Sequence, residues 1–512
     1  MQTAFNLDAL RSSHPIEVPV KDALDVDQIF DHISYLKGSS VIRMLAAHLG
    51  KETFLKGVSN YLKAHAYGNA TTNDLWSALS EASGQNVNEL MDPWIRKIGY
   101  PVLTVGEEPG QVTLQQSRYL STGDVKPEED STTWWVPLGL KNGEAVTATA
   151  LTTKEDTIRN VDDKFYKINT DNTGFYRTNY PPARLAALGK QADKLSVEDK
   201  IGLIGDAGAL ALSGKAHTPG LLAFVEGFTN EDNYLVWSQI LTSLGTVKSV
   251  FGEDEQIATA LQAFTLKLIT PAVKKLGWKF TEGEDYLTGQ LRSLLIHSAG
   301  LNGDQDIIKE AQSQFYKYTL GDKSAIHPNL RSAVFQINVK EGGLPAYNAV
   351  KEEWKNTTSV DGKEIALAAL GKIQLVTSDP LNPDTPNLLE DLLKFIFTSV
   401  STQDMHTPAA ALAANHKTRA GLWKYIKENW ESIRERLSRN MVVLDRFVKL
   451  SLQKFSDLEI EAEIAEFFKE KDNRGYDRSL GVVSDTIKVR AGYKQRDAQV
   501  LLEWLKEHGY SK

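Results

Sequence analysis

The sequence predicts a multidomain, mainly α-helical protein in which a small β-rich region separates two helical ones. Two observations carry this. Apolar residues recur at helical spacing over residues 1–100 and again from about residue 190 to the end, while residues 101–182 alternate and are rich in β-branched and aromatic types. A chain of 512 residues, at roughly 150 per domain, also has room for about three such regions.

The first region shows its period in Ile29 and Ile33, then Val41, Ile42, Leu45 and Leu49, then Phe54, Leu55, Val58 and Leu62, then Leu75 and Leu79. Gly50 and Gly84 stand where C-terminal caps belong, and Thr72 stands as the N-cap of a helix over 73–82. In the second region six segments read as strands: Val102–Val105, Val112–Gln116, Trp134–Leu140, Ala145–Leu151, Phe165–Asn169 and Gly174–Asn179. Short strands at this density, parted by Asp, Asn and Gly, predict a small antiparallel β-sandwich. In the third region Leu422, Ile426, Trp430, Ile433 and Leu437 mark one helix face, with Lys424, Lys427, Glu428 and Glu431 on the other. The Ser378–Asp384 loop and others like it cut the pattern into helical pairs without a strict repeat. An irregular HEAT-like stack, with a concave face suited to a peptide, is the expectation over 190–512.

Composition excludes several functions. The formal charge is −8, from 58 Lys and Arg against 66 Asp and Glu, so there is no basic field for a nucleic acid. Cysteine is absent, which removes disulfides, thiolate nucleophiles and cysteine metal sites. No run of about 18 apolar residues occurs, and the start lacks the basic and apolar regions of a secretory signal. A cytoplasmic protein without a membrane segment is expected, unless a targeting signal lies upstream of Met1.

Hydrolytic motifs are also missing. A zinc site of the H-E-x-x-H type needs two histidines one helical turn apart with a glutamate between them as general base. None of the ten histidines precedes a glutamate, and no two share a helical turn. There is no G-x-S-x-G elbow, Walker A loop or G-x-G-x-x-G fingerprint.

One segment stands out: Phe30-Asp31-His32-Ile33-Ser34-Tyr35-Leu36-Lys37-Gly38. By pattern alone Tyr35 is a half-buried tyrosine at a helix junction and Phe30 a core residue. The segment resembles the F-D-x-[IV]-S-Y-x-K-G motif of the zinc aminopeptidases of the aminopeptidase N, puromycin-sensitive and endoplasmic-reticulum aminopeptidase family, which are gluzincins. Further matches follow in order. Leu10-Arg11-Ser12-Ser13-His14-Pro15-Ile16 precedes it, with His14 read as structural; Gly99-Tyr100-Pro101-Val102, Gly174-Phe175-Tyr176-Arg177-Thr178-Asn179-Tyr180 and Leu195–Ala207 come after.

The resemblance implies that residues 1–100 are the helical end of a thermolysin-like catalytic domain, followed by the β-sandwich and the helical stack. It implies an enzyme that removes N-terminal residues from peptides with zinc as cofactor. Tyr35 matches the tyrosine whose hydroxyl stabilises the oxyanion, and a phenol keeps its proton at neutral pH and can donate it. Phe30 matches an aromatic residue lining the substrate-binding pocket. The H-E-x-x-H helix, the third zinc ligand and the G-x-M-E-N segment belong to the family's upstream half, and none is in this chain. Hence no metal ligand is assigned, the chain by itself is expected to be inactive, and its partners are the peptide substrate and the missing N-terminal half. A non-catalytic peptide- or protein-binding scaffold is the alternative.

Overall fold

The computed structural model describes residues 1–376 and 387–511 and divides into two compact units, Met1–Phe224 and Val225–Lys512. The segment Ser378–Asp384 lies outside the described residues. The molecule is mainly helical, with a few strands in small sheets.

In the first unit, helices Gln2–Asp8, Ala23–Ile29, Gly38–Leu49, Lys51–Ala64, Thr72–Ser83 and Val87–Arg96 precede the strands. The expected glycine stops hold: Gly50 and Gly84 both take positive φ, and Gly84 N–H donates to Ser80 O. The N-cap of Thr72–Ser83 is Thr71 rather than Thr72. Thr71 exchanges hydrogen bonds with Asp74 in a capping box, which a cap at Thr72 would set one residue out of register. Leu55 and Leu62 are exposed although they fit the helical period. Their helix packs through Gly57, against which Leu79 lies too close to admit a Cβ, so the two leucines face outward.

Nine strands follow: β1 Pro101–Glu108, β2 Gln111–Arg118, β3 Val136–Pro137, β4 Leu140–Asn142, β5 Ala145–Thr147, β6 Ala150–Leu151, β7 Glu155–Arg159, β8 Tyr166–Lys167 and β9 Arg177–Asn179. They form sheets of order β7-β2-β1-β9, β3-β6 and β5-β4-β8. The expectation of a wholly antiparallel arrangement fails at one place: β9 runs parallel to β1, in the register Val102–Arg177. The long excursion between β2 and β9 supplies the crossover that a parallel pair requires. The segment Trp134–Leu140 is two strands instead of one, because Pro137 has no N–H to donate and Gly139 turns at φ 48°. Strand β7 is unforeseen; it is a polar edge strand with no apolar alternation.

The helix Val197–Ser213 docks on these strands through two inward carboxylates. Asp199 accepts from Asp171 N at 2.7 Å and lies 2.9 Å from Lys167 Nζ. Asp206 accepts from Arg177 Nη1 at 3.1 Å and from Thr178 N at 3.0 Å. Arg177 in turn stacks on Phe5, 4.5 Å from the ring centre, and so fixes the first helix against β9.

In the second unit successive helices pack on their neighbours and on the next but one. The expected face of helix Arg419–Leu437 is buried at Leu422, Ile426, Trp430, Ile433 and Leu437. The last helix, Asp477–Glu507, returns to the first two of the unit, Tyr234–Phe251 and Glu255–Leu276. Tyr493 meets Phe251 at 4.9 Å between ring centres, and Arg490 Nη2 donates to Ser249 O at 2.7 Å. Among the described residues no helix is long and apolar enough to cross a membrane.

Candidate functional site

Residues 30–38 form a junction: Ile33–Lys37 is one turn of π-helix that runs directly into Gly38–Leu49. Such turns insert an extra residue and are frequent at functional sites. Ile33 and Lys37, four residues apart, face inward together, whereas Tyr35 between them points the opposite way. Tyr35 is 61% exposed and Phe30 is 66% exposed, their ring centres 6.0 Å apart at an interplanar angle of 49°. Phe30 is therefore no core residue, and Tyr35 is more open than a half-buried junction residue. The two residues that the family motif singles out form one exposed aromatic pair.

Two polar anchors hold this turn. The first is Asp31. Its Oδ1 accepts from Ile33 N at 2.8 Å and Ser34 N at 3.2 Å, and its Oδ2 lies 2.8 Å from His14 Nε2. His14 Nδ1 faces Pro15 O at 2.8 Å, so both ring nitrogens are engaged. Burial alone would raise the Asp31 pKa. The hydrogen bond and charge of His14, joined by the Ser34 and Ile33 amides, outweigh it and hold the carboxyl below its ordinary range. Ser34 Oγ closes the turn by donating to Ile29 O at 2.5 Å. The structural role expected of His14 is thus explicit: it clamps the residue that starts the turn.

The second anchor is Lys37, which the sequence left as one more motif letter. Lys37 and Asp8 are both fully buried. Lys37 Nζ lies 2.8 Å from Asp8 Oδ2 as an ion contact and donates to Gly99 O at 3.0 Å. Asp8 Oδ1 accepts from Ser13 Oγ at 2.8 Å and Gly99 N at 3.0 Å. The pair therefore ties the π turn to the first helix and to the Gly99-Tyr100-Pro101 corner. Asp8 was not singled out by sequence. Its only signal there is a carboxylate amid the apolar face of Ala4, Phe5 and Leu10.

The zinc that the resemblance implies finds no fit in these residues. Among the described residues no three His, Asp or Glu side chains are placed to hold a metal ion. The chemistry this turn presents is a hydrogen-bond donor beside an apolar ring, on a rigid base.

Residues 1–94 match the family model described as the Peptidase family M1 domain, and residues 165–489 match the ERAP1-like C-terminal domain. "Aminopeptidase 2" of Candida albicans is 42% identical, over 100% of this chain and 55% of its own length. "Aminopeptidase 2, mitochondrial" of Saccharomyces cerevisiae is 40% identical, over 100% of this chain and 53% of its own. "Alanine/arginine aminopeptidase" of the same yeast is 39% identical, over 100% and 59%. The chain spans a little more than half the length of these relatives.

Proposed function

The chain belongs to the M1 aminopeptidase family, and from that premise we propose that it is part of a zinc aminopeptidase that removes N-terminal residues from peptides. Tyr35 donates its phenolic proton in a hydrogen bond to the oxyanion that develops at the scissile carbonyl, and Phe30 lines the pocket for the substrate's first side chain. The observation that carries this reading is the exposed Tyr35–Phe30 pair at a π turn held by two polar anchors, one of them fully buried. A donor fixed before the reaction stabilises charge without reorganisation, and one such donor is worth roughly 10² to 10³ in rate. Zinc would be held by residues other than those of this chain.

In this reading residues 1–100 are the end of the thermolysin-like domain, 101–182 the β-sandwich and 190–512 a HEAT-like stack. The in-order packing of the helices in the second unit supports the last assignment. The protein works in the cytoplasm, for which a cysteine-free composition is suited. Recovery of the native protein in the mitochondrial fraction would sink that part.

The test has two arms. Purified and supplied with zinc, the chain alone is expected to release no amino acid from aminoacyl-amide substrates. In an enzyme that joins this chain to an H-E-x-x-H segment, Tyr35→Phe is expected to lower kcat by about 10² to 10³ with zinc content unchanged. Turnover by the chain alone, or an unchanged kcat in the variant, overturns the assignment.

A further inference from the structure

The phenol of Tyr35 is placed by its own backbone. Among the described residues no group hydrogen-bonds its hydroxyl, and the ring beside it is that of Phe30, itself exposed. A hydroxyl at the end of a long side chain amplifies any tilt at its Cα, whereas a group that meets a reacting atom has to be held within about 0.5 Å and 10–20°. Whatever fixes the backbone at residues 33–35 therefore fixes the donor.

That backbone is gripped from one residue. Asp31 Oδ1 accepts from Ile33 N at 2.8 Å and from Ser34 N at 3.2 Å, and Asp31 O accepts from Tyr35 N at 3.2 Å. The three consecutive amides that open the π turn all end on Asp31, which serves them as an N-cap serves a helix. Asp31 also follows Phe30 directly in the chain, so one residue sets where both rings of the pair begin. The buried His14 holds it from the other side, with Nε2 2.8 Å from Asp31 Oδ2.

We propose that Asp31 is a positioning residue for the aminopeptidase reaction, acting on the rate through Tyr35 by capping the amides of residues 33 and 34. This rests on the reading of Tyr35 as the oxyanion donor.

The test uses the enzyme that joins this chain to an H-E-x-x-H segment, at a temperature where melting curves show each variant folded. Asp31→Ala removes the acceptor of both amides and is expected to lower kcat by about tenfold to a hundredfold, the scale of a displacement of about 1 Å. Asp31→Asn keeps an oxygen for the amides and an NH2 group to face His14, and is expected to recover most of that loss although it too lacks the carboxylate charge. The deciding measurement is the double variant. With Tyr35→Phe already in place, Asp31→Ala is expected to cost no more than about twofold further, because the group it positions is gone. A general loosening of the fold would cost the same factor in both backgrounds. Equal losses with and without the Tyr35 hydroxyl, or an Asp31→Asn variant as slow as Asp31→Ala, overturn the proposal and leave Tyr35 as the donor. A kcat unchanged by Tyr35→Phe instead overturns the reading of Tyr35, and the proposal with it.

Discussion

Replacing Lys37 by methionine keeps the length and apolar stem of the side chain and removes only the ammonium. What stays behind is the Asp8 carboxylate, fully buried beneath the π turn. It retains the Ser13 hydroxyl and the Gly99 amide as donors, whereas Gly99 O loses the donor it had in Lys37. Removing one partner of a buried ion pair costs about 3–5 kcal/mol, because the remaining charge is uncompensated. For a unit of this size each kcal/mol moves the melting point by roughly 2–4 °C, which gives a drop of about 6–20 °C in the transition of the first unit. Differential scanning calorimetry measures the drop, and hydrogen exchange should place the largest local loss at residues 97–100. Asp8→Asn added to Lys37→Met removes the stranded charge while keeping an acceptor for Ser13 and Gly99, and a large part of the loss should return. A single variant within about 0.5 kcal/mol of the parent would refute the reasoning, since that is the range of surface changes away from special features.

Tyr35→Phe should leave stability within about 0.5 kcal/mol of the parent even where it costs catalysis, because the hydroxyl belongs to an exposed side chain; thermal melting separates the two effects. Asp31 has a folded pKa below its ordinary 3.8, so the stabilisation it provides is complete above that value and is lost as pH falls through the lower one. Asp31→Asn should therefore lower the melting point at neutral pH and flatten its acid dependence below about pH 4. Lys454 is held down to about 8, first by burial and then by Arg490 and Arg419. Between there and 10.5 the unfolded chain binds more protons than the folded one, so the second unit should gain stability as pH rises across that interval, and Lys454→Met should flatten the rise in a calorimetric series.

Much of the helical architecture was legible because burial imposes a period. The face Leu422, Ile426, Trp430, Ile433 and Leu437 is buried as its spacing requires, and Gly50 and Gly84 end helices because glycine takes positive φ without strain. Periodicity did not tell which apolar residues stay outside. Leu55 and Leu62 fit the pattern and are exposed, because a glycine in the same helix makes the close contact. The β region was harder. Strand β7 has no apolar signature, and the β1–β9 parallel pairing joins segments some 75 positions apart in sequence, which no local pattern records.

By itself the sequence determined the family, through ordered motifs, and the resemblance those motifs carry is what makes Tyr35 and Phe30 candidates. It also determined that an H-E-x-x-H site is absent, because that motif lies within one helical turn and folding cannot conceal it. Only the tertiary structure decided how Tyr35 is held. The anchors pair residues distant in sequence, His14 with Asp31 and Asp8 with Lys37, the second pair closing on Gly99, and the pairing of Lys37 with Asp8 depends on a first helix fixed by Arg177 and Phe5. Ion contacts and hydrogen bonds act over about 3 Å in space and leave no period in sequence. A buried lysine and an exposed one are therefore the same letter until the chain folds.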